Sequence, residues 1–145
     1  MDIVFKKAEE IYLPQIVELL QVISNFYPDS SELKLIWQTF NSQKGVFTIT
    51  AIDKDIIEID NQLVGFGSLH LTKKIRGGII GFIEDISIKE EYRKKGIGKS
   101  ILKKLINKAK SEGCYKVVLD CKEETKTFYQ NIGFNHSGNS MTIFF

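Results

Sequence analysis

After a short strand read from Ile3 to Lys6, apolar positions follow helical spacing as far as Phe40. Pro14 suits a first helical turn, where its missing N–H would be unpaired in any case. Ile16, Val17, Leu20 and Ile23 then share one face. Ser30 and Ser31 can cap a second helix carrying Leu33, Ile36, Trp37 and Phe40. From Gly45 the period changes to that of strands. Val46 to Ile52, Gln62 to Leu71 and Ile79 to Ile88 are rich in β-branched and aromatic residues. Turn signals at Asp53-Lys54-Asp55, Asp60-Asn61 and Gly77-Gly78 separate them, which predicts an antiparallel meander. Helical spacing returns from about Gly98 to Glu112. Ile97, Ile101, Leu102, Leu105, Ile106 and Ala109 form a buried stripe, with five lysines largely off it and Gly113 as a stop. Lys116 to Cys121 reads as a strand, Thr125 to Asn131 as a short helix and Ser140 to Phe145 as a last strand. The order predicts a mixed α+β fold with a parallel crossover in its second half.

Composition narrows the class. The chain has 145 residues, one domain's worth, with 43% apolar and 26% charged residues, as in globular domains. A net charge of +2 argues against a dedicated nucleic-acid binder, and the lysines of the long helix read as a solvated face. No apolar run is long enough to span a membrane, and Met1 to Lys7 lacks the order of a signal peptide. Cys114 and Cys121 read as buried core thiols of a reducing compartment, so a cytoplasmic protein is expected. With His70 and His136 far apart, no metal site is expected.

The chemistry-bearing stretch runs from Ile83 to Lys99. A strand, Ile83-Glu84-Asp85-Ile86-Ser87-Ile88, leads through Lys89-Glu90-Glu91-Tyr92 into Arg93-Lys94-Lys95-Gly96-Ile97-Gly98-Lys99 at a helix start. Glycines there let successive backbone N–H groups face one concavity, and the helix N-terminus adds about half a positive charge. With Arg93, Lys94, Lys95 and Lys99 around it, the segment describes a pyrophosphate cradle. Neither the Walker spacing nor the three-glycine dinucleotide fingerprint is present. A sharp turn with a solvated basic rim would carry the same string.

The Arg-x-x-Gly-x-Gly string between strand and helix, followed by Phe128-Tyr129-Gln130-Asn131-Ile132-Gly133-Phe134, resembles the GNAT superfamily of acetyl-CoA-dependent N-acetyltransferases. Gly81-Phe82-Ile83-Glu84-Asp85-Ile86, Gly113-Cys114-Tyr115-Lys116-Val117, Leu119-Asp120-Cys121 and Phe128-Tyr129 resemble, within it, eukaryotic glucosamine 6-phosphate N-acetyltransferases. The resemblance implies a splayed central sheet and transfer of acetyl from acetyl-CoA to an amino sugar, on the route to UDP-N-acetylglucosamine. It implies that the backbone of Ile86, Ser87 and Ile88 binds the thioester and pantetheine. The segment Arg93, Lys94, Lys95, Gly96, Ile97, Gly98 and Lys99 would hold the pyrophosphate, with Thr125 a further cofactor contact. Tyr129 would donate a proton to the leaving sulfur, as a phenol with an ordinary pKa near ~10 can. Ser24, Glu84, Asp85, Tyr115, Lys116 and Asp120 would contact the substrate, with Glu84 a proton acceptor through water. Adjacent strand positions put Glu84 and Asp85 on opposite faces, so they are not expected to act as a close pair.

Three positions depart from that pattern. Phe144 stands where a basic residue usually pairs with the substrate phosphate; Arg76, Lys73 and Lys74 are the substitutes at hand. Thr125 replaces an Asn and Ser24 a Thr. Other acceptors, a polyamine, another amino sugar or a peptide amine, share the chemistry, and a non-catalytic CoA-binding module shares the cradle. The resemblance also implies a homodimer with shared acceptor sites, consistent with the apolar ending Met141-Thr142-Ile143-Phe144-Phe145.

Overall fold

A computed structural model describes residues 1–145. Strands β1 (Ile3–Lys6), β2 (Val46–Asp53), β3 (Leu63–Lys73), β4 (Ile79–Ile88) and β5 (Cys114–Val118) form one sheet in chain order. The first four pair antiparallel, and β5 joins β4 in parallel after the crossover helix α3 (Ile97–Ser111). Helices α1 (Leu13–Leu19) and α2 (Ser30–Asn41) precede β2, and α4 (Lys126–Ile132) follows β5.

The expected meander and crossover are both present, and the α3 stripe is the predicted one. Ile97, Ile101, Leu102, Leu105 and Ala109 are buried, with Ile106 at the margin. They pack on Ala51, Val64, Leu69 and Ile83 from one face of the sheet. Gly65 and Gly67 of β3 make this approach possible. A Cβ on Gly67 would stand 2.5 Å from Ile86 Cδ1 and 2.9 Å from Ile101 Cγ2, so only a bare backbone leaves room for both isoleucines. The opposite face carries a smaller cluster of Ala8, Tyr12, Ile16, Ile52, Leu63 and Phe66 under α1.

Several local expectations are corrected. The α2 cap is Asp29, whose Oδ1 accepts from Glu32 N at 2.9 Å; Ser30 and Ser31 lie inside the helix, and Ser31 donates to Asp29. α1 stops at Leu19 and passes into a 3-10 turn, Leu20–Val22, leaving Ile23 exposed. β5 begins two residues earlier than expected and ends at Val118. Cys114 is half-buried, while Cys121 is exposed rather than a core thiol. Residues 140–145 form no strand. No edge pairs with them, and Met141, Ile143, Phe144 and Phe145 are exposed.

Candidate active site

β4 is paired on both sides for only part of its length. β5 follows it from Ile79 to Phe82 and stops. From Ile83 to Ile88 the β4 backbone is paired to β3 alone. Backbone groups of a strand alternate in direction, so alternate N–H and C=O groups of this stretch face an open fork. The side chains at the fork are already committed. Ile86 and Ile88 lie over Gly67 and Gly65 on the α3 face, and Ser87 Oγ donates to Leu19 O at 3.3 Å on the other face. What Ile86, Ser87 and Ile88 can offer a ligand is therefore main chain.

The fork leads into the glycine-containing turn. Lys94 (φ 60°) and Gly96 (φ 83°) are both left-handed, and Gly96 caps α3, its carbonyl accepting from Ser100 N at 3.0 Å. Alternation of right- and left-handed residues directs neighbouring amides into one concavity. A Cβ on Gly96 would meet nothing within 4 Å, so the concavity is open. Gly98 has a different role from that expected. It is helical, and its bare Cα lies where a Cβ would touch Ile88 and Phe128 at 3.5 and 3.6 Å. Ile97 is buried, so only its backbone can serve a ligand. Lys94, Lys95 and Lys99 are exposed around the turn, while Arg93 Nε donates to Ile88 O at 3.1 Å and ties the turn to the strand end. Open space, aimed amides and a cationic rim fit the diphosphate of a CoA thioester.

A brace missed by sequence reasoning holds this turn. Tyr92 Oη donates to Asp53 Oδ2 at 2.6 Å, and Asp53, nearly inaccessible at the end of β2, also accepts from Asp2 N and Asp55 N at 3.1 Å each. The Tyr92 hydroxyl and the two amides hold the Asp53 carboxyl below the usual range. The Asp53 carboxylate pushes the Tyr92 phenol up to about 12. Asp53 looks like an ordinary turn residue in the sequence; its partner is 39 positions away.

Beyond the fork, β5, α4 and the C-terminal segment enclose a groove of about 960 Å³. Tyr129 lines it, set edge-on against Phe128 and Phe134, and burial pushes its phenol above the ordinary value. Tyr115, Lys116 and Asp120 line the same groove. Lys110, Lys122 and Lys126, which the sequence did not single out, line it too, so lysines outnumber carboxylates along its wall. Thr125 precedes α4 and its hydroxyl donates to Lys122 O at 3.1 Å, a turn contact. The turn bearing Lys73, Lys74 and Arg76 abuts Tyr115, whose ring lies against Gly78.

The remaining expected residues lie on the sheet's other face. A bulge between Phe66 and Ser68 places Glu84 opposite Ser68 and Ser87 opposite Phe66, and Asp85 takes a left-handed conformation (φ 56°). The bulge breaks the alternation that predicted opposite faces. Glu84 shares the face of Ser68, and Asp85 lines an apolar cavity on that same side together with Ser24. Lys116, by contrast, stands opposite Ile80. Asp85 lies five strand positions beyond Ile80, roughly 16 Å at about 3.3 Å per residue. Within one chain, then, the expected substrate residues form two groups and do not converge.

The sequence profile described as "Acetyltransferase (GNAT) family" matches residues 13–134. The chain belongs to that family. Among relatives, it is 32% identical to glucosamine 6-phosphate N-acetyltransferase 1 of Dictyostelium discoideum over 97% of its own length and 84% of the relative's. It is 31% identical to probable glucosamine 6-phosphate N-acetyltransferase 2 of rice over 67% of its length, spanning 60% of that protein. The crystal structure of glucosamine-6-phosphate N-acetyltransferase from Arabidopsis thaliana superposes with a TM-score of 0.89 at 26% identity, covering 100% of this chain and 99% of that one. The sheet and helices of this chain thus share the fold of that acetyltransferase structure.

Proposed function

We propose that the protein transfers the acetyl group of acetyl-CoA to the amine of glucosamine 6-phosphate. The observation that carries this reading is the unpaired edge of β4 from Ile83 to Ile88, running directly into the open, basic turn at Gly96. The named relatives support the choice of acceptor. Acetyl-CoA supplies an activated acyl thioester. Those amides of Ile86 to Ile88 that face the fork orient and polarise its carbonyl, and the amides from Lys94 to Lys99 carry its diphosphate. Tyr129, kept protonated by its apolar surroundings, gives its proton to the departing sulfur. Asp85 and Glu84, on the acceptor face, hold the incoming ammonium and pass its proton to water.

The phosphate needs cations, and Phe144, exposed in the C-terminal segment, offers none. Lys116, beside the turn of Lys73, Lys74 and Arg76, is the site's best substitute, and it lies too far along the sheet from its own Asp85 to share one monosaccharide phosphate. We therefore assign it, with Asp120, to the acceptor site of a second copy in a homodimer. The exposed apolar residues Met141, Ile143, Phe144 and Phe145 are the surface such a partner would cover. No helix is long and apolar enough to cross a membrane.

The test is thiol release from acetyl-CoA with glucosamine 6-phosphate, glucosamine and spermidine in parallel. Turnover with the phosphosugar, at least about tenfold above the other two, is the expected result. Turnover confined to another amine overturns the acceptor assignment, and silence with all three overturns the reading as a whole.

A further inference from the structure

The net charge of +2 hides a separation of charge along the chain. Eight of its 20 cations and none of its 18 acids fall between Arg93 and Lys110, so the other residues carry +2 less eight, or −6. These eight lie on the Gly96 turn and along α3, whose apolar stripe is turned to the sheet. Lys94, Lys95, Lys99, Lys103, Lys104 and Lys110 are exposed and enter no ion pair. Of the eight, only Lys108 meets an acid, Glu112 at 2.9 Å.

A face that only had to be solvated would not need this arrangement. Opposite charges at i and i+4 would solvate a helix as well and stabilise it, whereas Lys99 and Lys103, like Lys104 and Lys108, set like charges one turn apart. The first turn holds no acid, although the helix dipole favours anions there, and Lys99 stands in their place. Both choices weaken the helix on its own, and both raise the positive potential around the turn. By helix rise, Lys103 and Lys104 lie roughly 10 and 12 Å along the axis from Gly96, little more than the Debye length of about 8 Å at physiological salt. Lys110, at roughly 21 Å, is screened. Lys104 Nζ sits over the Phe5 ring of β1 at 5.3 Å, so its charge reaches the turn only as a field.

We propose that Lys103 and Lys104 extend the turn into a capture surface: they draw acetyl-CoA from solution to Gly96 and set its association rate, without contacting it once bound. The inference rests on the acetyl-CoA reading of that turn. The cosubstrate is a polyanion, a diphosphate joined to a phosphomonoester that alone carries about −1.5 to −2 at neutral pH. Charges of one sign gathered on one face raise association rates by about 10- to 1000-fold, and salt removes the gain. Direct, desolvated contacts act otherwise, by slowing dissociation.

Stopped-flow anisotropy of CoA carrying an uncharged fluorophore on its sulfur gives both rates on the intact protein. At about 20 mM salt, Lys103→Gln/Lys104→Gln is expected to slow association about fivefold and to leave dissociation within about twofold of wild type. At about 0.3 M the two association rates should agree within about twofold. Dephospho-CoA with the same label, lacking the phosphomonoester, should lose only about twofold at low salt. Lys34→Gln/Lys44→Gln, at exposed lysines of α2 and the loop after it, removes the same net charge and should leave association unchanged. Equal association of wild type and the Lys103/Lys104 variant at low salt, a loss that persists at 0.3 M or appears as faster dissociation, or an equal loss in the Lys34/Lys44 control would each overturn the proposal. Tight binding with an association rate indifferent to salt would sink this inference alone. No binding of CoA, labelled or unlabelled, at any salt would sink the acetyl-CoA reading of the turn and this inference with it. Salt-steered capture with no thiol release from any acceptor would uphold the capture surface and sink the acetyl-transfer function alone.

Discussion

The two faces of the sheet are built to different standards. On the α3 face, which the proposed function gives to the cofactor, α3 buries five side chains against β2, β3 and β4, bare glycines in β3 let it close, and Arg93 and Tyr92 brace the turn that starts it. On the opposite face, which the proposed function gives to the acceptor, α2 buries none, and an open apolar cavity lies beneath it. Aiming a row of amides at a diphosphate requires a backbone held still, because misplacing the donors loses the interaction. Admitting an acceptor requires an element that can give way, and such elements are drawn from the least buried parts of a fold. Under the proposed function, the difference in packing follows the difference in task.

The largest expected effect separates the two faces outright. Gly98→Glu puts a carboxylate beside the open turn, where a Cβ itself makes only ordinary contacts, so the fold should persist while the anion site is filled with like charge. Acetyl-CoA affinity measured by calorimetry should fall at least about 100-fold, on the order of two charge-assisted contacts. An unaltered acetyl-CoA affinity would remove the diphosphate from this turn.

Tyr129→Phe refines the cofactor side by dividing binding from chemistry. Its ring packing against Phe128 and Phe134 survives, and only the hydroxyl is lost. Turnover should fall by about 100-fold, the usual scale for a positioned acid, with little change in the KM for acetyl-CoA. Equal losses in both would remove the proton-donor role.

The smallest effect concerns the brace beneath the cradle. Tyr92→Phe deletes the bond to Asp53, the largest single cause of both pKa displacements. A phenol raised from 10.0 to about 12 contributes stability that is whole below pH 10 and lost as pH rises through about 12. The lowered Asp53 carboxyl contributes stability that is whole above the ordinary carboxylate pKa and lost as pH falls through its depressed value. Melting temperatures of wild type and variant should thus differ by a few degrees at neutral pH and converge at both extremes. A constant difference from acid to alkali would show that the pair is not coupled.

Much of the cofactor side was legible because its signals are local. The α3 stripe, the glycine turn and the meander each lie within a short window, and period alone separates helix from strand there. Tyr129 was found only through its neighbours in sequence, Phe128 and the Ile132-Gly133-Phe134 run, which make it part of a string. The acceptor side was less legible for a physical reason. Asp85's direction depends on a bulge created by pairing with β3, and an alternation rule applied to β4 alone sends it to the wrong face.

The sequence by itself determined the order of elements, the stripe that buries α3 and the place of the basic glycine turn, since each depends on near neighbours and on the intrinsic geometry of helix, strand and glycine. Tertiary structure alone decided where β5 leaves β4, that Asp53 meets Tyr92, and that Lys116 and Asp85 lie at separate places on the sheet. Those facts come from pairing between distant segments, where one extra residue in a bulge or one early strand end redirects every side chain beyond it.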